Sequence, residues 1–218
     1  MSKLTLIVGN KNYSSWSLRP YLALKQTGAE FAEVVIPLRQ PDTAGRIAER
    51  TPAGRVPALQ DGDLTIWDSL AIVEYLAERF PAARLWPDDR EARAVARAVS
   101  AEMHSGFVAL REAMPMNIRA TRPPRPISDD VRVAIDRIKT LWRDTRRRFG
   151  SSGPFLFGAF TNADAMYAPV VTRFRTYGVA LDGVEAAYAD AVWSLPAMQE
   201  WITAASAEPW GLPSTDDI

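Results

Sequence analysis

The four stretches that read as strands in this sequence all lie before residue 68, and from residue 88 onward apolar residues recur at helical steps. That change of period divides the 218 residues into an α/β part followed by an all-α part. Leu4 to Val8 and Phe31 to Ile36 read as strands, with a helix from Trp16 to about Thr27 between them that Gly28 closes. A strand–helix–strand unit of this length makes its two strands parallel. Thr43 to Arg50 is a short helix and Thr51 to Pro57 a loop. Ala58-Leu59-Gln60 and Leu64 to Trp67 then join through Asp61-Gly62-Asp63, a strong hairpin signal. A helix over Ser69 to Arg79, with Leu70, Val73 and Leu76 or Ala77 on one face, completes a βαβαββα unit over residues 1–80.

Residues 81–87, bounded by Pro81 and Pro87, read as a linker to an all-helical region, 88–218. Asp88 and Glu91 have capping-box spacing, and Val95, Val99, Met103, Phe107 and Leu110 predict one long helix to about Pro115. Ser128 caps the next helix, where Val131, Ile135, Ile138, Trp142, Thr145 and Phe149 form one stripe. Thr161-Asn162-Ala163-Asp164 opens a helix to about Tyr177, although Pro169 inside it costs about 3 kcal/mol or a kink. Shorter helices cover Gly183 to Trp193 and Pro196 to Ala205.

Composition removes several chemistries. The absence of cysteine excludes disulfides, iron–sulfur clusters, thiolate metal sites and a nucleophilic thiol. A single histidine, His104, argues against a histidine-ligated metal, and neither Gly-x-Ser-x-Gly nor a P-loop pattern occurs. Lys plus Arg (26) equals Asp plus Glu (26), so no net field draws the chain to nucleic acid. No apolar run is long enough to span a membrane, and the short apolar stretch after Met1 lacks a cleavage signal, which makes the cytoplasm the expected location. Residues 119–148 carry ten basic and four acidic side chains, and residues 182–218 carry seven acidic and none basic. These stretches either face each other or are solvated helix faces.

Four ordered motifs carry a resemblance to the cytosolic glutathione transferase family. Ser14-Ser15-Trp16-Ser17-Leu18-Arg19 resembles the Ser-Pro-Phe-Ser-x-Arg of tau-class and the Ser-Ser-Cys-Ser-x-Arg of zeta-class enzymes. Pro52-x-Gly54-Arg55-Val56-Pro57-x-Leu59 is similar to the family's Pro-x-Gly-Lys-Val-Pro-x-Leu. Asp68-Ser69-Leu70-Ala71-Ile72-x-Glu74-Tyr75-Leu76 resembles its Glu-Ser-x-Ala-Ile-x-x-Tyr-Leu, and Thr161-x-Ala163-Asp164 with Pro169 its capping motif and proline-bearing helix. The resemblance implies a thioredoxin-like N-terminal domain with an all-α second domain, a homodimer, glutathione as co-substrate and no metal. It also implies a cis Val56-Pro57 bond, with Arg55, Val56, Pro57, Asp68 and Ser69 forming the glutathione slot. The Val56 backbone would pair with the peptide as an added strand, and the helix start at Ser69 would receive a carboxylate.

A thiol with a pKa near 8.5 needs roughly 2.7 kcal/mol to ionise two units lower. One hydrogen bond to the charged sulfur contributes about 1.5–3 kcal/mol and a helix N-terminus about 0.3–1, so no general base is required. Counting five residues back from Arg19 selects Ser14 as the donor, a count of four selects Ser15, and Tyr13 is a third candidate. Met103, His104 and Phe107, with Met114 and Met116 beyond, are the candidates for a small hydrophobic electrophile's pocket, methionines being adaptable; a stripe at helical spacing also suits plain core. The activity implied is a serine-type transfer of the glutathione thiolate. A non-catalytic ligand- or partner-binding protein on the same fold and a zeta-like glutathione-dependent isomerase are the alternatives. Arg55 for Lys, Asp68 for Glu and Trp16 for Phe or Cys depart from the family's patterns.

Overall fold

The computed structural model describes residues 3–218. A four-stranded sheet in the order β2-β1-β3-β4 is built from β1 (Leu4–Val8), β2 (Phe31–Val35), β3 (Ala58–Asp61) and β4 (Leu64–Trp67). β1 runs parallel to β2, with Leu4 opposite Phe31, and antiparallel to β3, with Leu6 opposite Leu59. The β3–β4 hairpin pairs Ala58 with Trp67, and Gly62 at its turn takes φ +59, which the first central residue of a two-residue II′ turn requires. Side chains alternate across β1: Leu4, Leu6 and Val8 enter the main core, while Ile7 joins Ile36, Ile47 and Ala58 on the opposite face.

Helix α1 (Ser15–Gln26) connects β1 to β2, α2 (Thr43–Ala48) leads toward β3, and α3 (Ser69–Arg79) follows β4. The N-terminal domain therefore has the expected thioredoxin-like βαβαββα order. On α3 the buried residues are Ser69, Ile72, Val73 and Leu76, with Leu70 only half-buried. The fully buried stripe thus includes Ile72 in place of the expected Leu70.

The segment 81–87 contains a short 3₁₀ turn, Pro81–Ala83, and the buried residues Leu85 and Trp86. The Leu85 carbonyl accepts from the Asn162 N–H at 2.8 Å, so this stretch is seam as much as connection. The single helix expected from residue 88 to Pro115 is two: α4 (Arg90–Ser105), capped by Asp89 rather than Asp88, and α5 (Val108–Ala113). Gly106 ends α4 and Phe107 turns left-handed at φ +57. A Cβ on Gly106 would stand 2.7 Å from the Glu102 carbonyl oxygen, so a larger residue would collide with the turn it terminates.

α6 (Asp129–Phe149) is the amphipathic helix of the sequence, capped by Ser128 and buried along Val131, Ile135, Ile138, Trp142 and Thr145. α7 (Asn162–Thr176) starts in a capping box between Thr161 and Asp164, contains Pro169 and is almost wholly buried. α8 (Gly183–Trp193), α9 (Pro196–Ala207) and a last turn α10 (Pro213–Asp216) complete the chain. Trp142 packs against the rings of Tyr167, Phe174 and Tyr188 at 6.0, 5.6 and 4.8 Å. The basic and acidic stretches do meet: Arg143 pairs with the buried Glu185, and the Arg119 guanidinium donates to the carbonyls of Glu208 and Trp210. No helix of the described residues is long and apolar enough to cross a membrane.

Candidate functional site

A cavity of about 530 Å³ opens where three segments converge: the first turn of α1, the loop before β3, and the junction of β4 with α3. Its lining includes Arg55, Val56, Pro57, Asp68 and Ser69, all five residues proposed from the sequence for one slot. Trp16, Ala53 and Trp67 complete the wall and were not among the candidates. The Val56-Pro57 bond is cis.

Asp68 is held at φ +72, a conformation that costs a non-glycine residue of order 1–3 kcal/mol. Its Oδ1 accepts from the Leu70 and Ala71 N–H groups at 2.8 and 3.4 Å, capping α3. Its Oδ2 faces His104 Nε2 at 3.3 Å. This strained acid thus both starts α3 and reaches α4 across the cavity edge.

Cationic side chains pack against Trp16, one of the lining residues. The Arg19 guanidinium stacks 4.3 Å from the centre of the Trp16 ring, Arg111 lies 5.4 Å from the same ring, and His104 meets it edge-on at 5.2 Å. Arg19 is fully buried; its Nη1 donates to Ser69 Oγ at 3.4 Å, and its Nε and Nη2 have no hydrogen-bond partner among the described residues. Burial, with Arg173 and Arg111 nearby, pulls its pKa down to about 9 against the opposing pull of Asp68. A charged group stripped of water in this way favours an anion above it. His104 Nδ1 is likewise buried without a partner, and burial lowers the His104 pKa, with Asp68 opposing and Arg19 and Arg111 reinforcing.

The three hydroxyl candidates are placed differently from one another. Ser14 caps α1, accepting from the Ser17 N–H at 3.4 Å and donating to Ser17 Oγ at 2.7 Å; Ser17 Oγ accepts from the Gly9 N–H. Ser15 is the first residue of α1; both serines are buried, and neither is among the residues that line the cavity. Tyr13 instead donates its hydroxyl to Asp216 at 2.8–2.9 Å and accepts from Arg119, on the side of the C-terminal segment. Of the electrophile-side candidates, His104 reaches the site through Asp68 and Trp16, and Phe107 is half-buried at the α4–α5 break. Met103, Met114 and Met116 are core: their exposures are 0%, 3% and 2%. The methionine stripe was legible as apolar spacing, which core and pocket share.

Residues 13–79 match the family described as glutathione S-transferase, N-terminal domain. The chain is similar to maleylacetoacetate isomerase of Rattus norvegicus, 40% identical over 101 residues, covering 44% of this chain and 45% of that protein. It is also similar to glutathione S-transferase Z2 of Arabidopsis thaliana, 35% identical over 102 residues, 44% of this chain and 46% of that one. These alignments span less than half the length of those relatives. Over nearly the whole chain, the crystal structure of a glutathione transferase homolog from Burkholderia gl BGR1 with bound glutathione superposes with a TM-score of 0.71 at 25% identity, covering 95% of this chain and 100% of that one.

Proposed function

We propose, from the premise that this chain belongs to the glutathione transferase family, that it is an enzyme that binds glutathione in the cavity of its N-terminal domain and transfers it to a small hydrophobic electrophile. The single observation that carries this reading is the convergence of Arg55, Val56, Pro57, Asp68 and Ser69 on one cavity, with the buried, under-bonded Arg19 held against two of its lining residues, Trp16 and Ser69. In this reading residues 1–80 bind glutathione, 81–87 connect, and 88–218 face the electrophile.

The Val56 backbone, just before β3, pairs with the peptide backbone of glutathione, and Ser69 and Asp68 receive its γ-glutamyl end. Arg19 adds positive potential beneath Ser69 without touching the sulfur. A serine hydroxyl at the α1 N-terminus donates to the sulfur, so the proton leaves to solvent and the thiolate persists at neutral pH. The thiolate then attacks the electrophile's carbon: a C–S bond forms and the leaving group departs with the electron pair of its bond. Ser14 is the assigned donor, with Ser15 the alternative; turning the Ser14 hydroxyl from Ser17 toward the sulfur exchanges one hydrogen bond for a charge-assisted one.

Ser14→Ala is expected to lower the conjugation rate more than tenfold while the protein still binds immobilised glutathione. A full rate in that variant, with Ser15→Ala inactive, transfers the role to Ser15. Retention on glutathione without turnover across a broad panel of electrophiles removes the enzyme reading and leaves a binding protein. A second reading, glutathione-dependent cis–trans isomerisation of a maleyl compound, is supported by the N-terminal match to maleylacetoacetate isomerase and the Ser14-Ser15-x-Ser17 start. Turnover of a maleyl compound, with none of an aryl halide, selects it. The protein is proposed to work as a cytoplasmic homodimer. Leu64, half-exposed on the edge strand β4, supports a surface that a second copy covers.

A further inference from the structure

The turn that delivers Ser14 and Ser15 is held from nearly 200 residues away. Within the turn the Tyr13 and Ser14 N–H groups donate to the Asn10 carbonyl, and its outward carbonyls accept from afar, Lys11 from Trp201 Nε1 and Asn12 from the Ile118 N–H. The Glu208 carboxylate accepts from two consecutive N–H groups, Lys11 at 2.7 Å and Asn12 at 3.1 Å, one oxygen to each. The Asp216 carboxylate accepts from the Tyr13 hydroxyl at 2.8–2.9 Å, and from Asn117 Nδ2 and the Leu212 N–H at 2.8 Å each. Arg119 ties the two acids' segments together: its guanidinium donates to the Glu208 and Trp210 carbonyls and to the Tyr13 hydroxyl, while its backbone N–H donates to Asn12 Oδ1 at 2.9 Å. Each of the three residues before Ser14 is thus fixed by a group from the C-terminal segment. Neither acid is among the residues that line the cavity.

We propose that Glu208 and Asp216 are positioning residues for the serine turn, an inference that rests on the glutathione reading above. Two fixed anions on the outer side of the turn hold Lys11 to Tyr13 in one conformation, and that conformation sets where the α1 N-terminus and its serine hydroxyls point. Donation to a sulfur is lost over a displacement of about 1 Å, so releasing the clamp costs thiolate without removing any group that touches glutathione.

The test uses the full chain with glutathione and the variants Glu208→Gln, Asp216→Asn and, as conservative control, Glu208→Asp. Two quantities are measured: amide hydrogen exchange of residues 10–18, and the thiolate absorbance of bound glutathione against pH. We expect at least tenfold faster exchange across 10–18 with α6 unchanged, and a bound-thiol midpoint about one unit higher, a tenfold loss of thiolate below it. Glu208→Asp should fall between. Tyr13→Phe, which removes only one hydroxyl from the network, should move both readouts in the same direction and keeps the test decisive if an acid variant fails to fold. Unchanged exchange, or faster exchange with an unmoved midpoint, overturns the positioning role. A wild-type protein that shows no bound thiolate overturns the glutathione reading and this role with it, an outcome distinguished before any variant is made.

Discussion

His104 is the only histidine in the chain, so its imidazole gives a single resolvable titration. Burial lowers its pKa below the ordinary 6.5, Asp68 pulls the other way, and Arg19 and Arg111 add to the lowering. The ring is therefore neutral at pH 7, with Nε2 facing Asp68 Oδ2 at 3.3 Å. Removing the acid leaves burial and the two guanidiniums unopposed. Asp68→Asn is accordingly expected to lower the His104 pKa further, as read from imidazole proton shifts against pH; a rise would show that the His104–Asp68 contact does not act as an ion pair. Asp68 could be named from the sequence as a member of the glutathione slot, but its second contact could not. His104 lies 36 positions away on α4, and nothing in local spacing encodes a meeting across two helices. Trp16 and Trp67 were missed for a related reason, since an aromatic residue in sequence reads equally as core filling or as cavity wall.

At the scale of elements, α7 illustrates a start that is cheap to read and costly to bury. Asp164 accepts from the Leu156 N–H at 3.0 Å, the Thr161 N–H at 2.7 Å and the Thr161 hydroxyl at 3.1 Å, all out of water. Burial outweighs these bonds and pushes its pKa up to about 6. A carboxyl whose folded pKa lies above the unfolded value of about 4 binds its proton more tightly when folded. The stability this gives is fully present below about pH 4 and is lost as pH rises through 6. Asp164→Asn cannot titrate, so the wild type should lose roughly 2–3 kcal/mol relative to it between pH 4 and 7, measured by urea unfolding at each pH. Parallel stability curves would refute the buried titration. The capping box itself was legible, because Thr161 and Asp164 are three residues apart and the motif is local. The α4–α5 break was not legible from period. Met103, Phe107 and Leu110 keep helical steps straight across it, and only Gly106 marks the point where a Cβ would meet the Glu102 carbonyl.

Across the whole molecule the two parts that the sequence separates by period share one core. A continuous apolar cluster runs from Leu4, Leu6 and Leu18 through Val99 and Met103 to Val170, Phe174 and Trp201. Polar ties cross the same seam: Asn162 Nδ2 donates to the Val73 carbonyl at 2.9 Å, and Trp201 Nε1 donates to the Lys11 carbonyl at 2.9 Å. The Lys11 ammonium then lies 5.1 Å from the Tyr21 ring centre and 5.0 Å from that of Trp201, so a cation from the β1–α1 turn is held between α1 and α9. The proline-bracketed segment 81–87 reads as a linker in the sequence, and its Leu85 and Trp86 are buried in this seam. Interfaces of this kind couple folding, since neither side can open without exposing the other's apolar face. Trp201 is fully buried, and Trp201→Ala deletes its ring and its hydrogen bond to the β1–α1 turn together. That substitution is expected to cost about 3–5 kcal/mol. Far-ultraviolet circular dichroism, which follows the helices, and hydrogen exchange of β1 and β3, which follows the sheet, should still report one transition at one lowered midpoint. If the helices melted first while the sheet stayed protected, the shared core would be two cores in contact, and the proposed C-terminal clamp on the serine turn would release before the N-terminal cavity itself was lost.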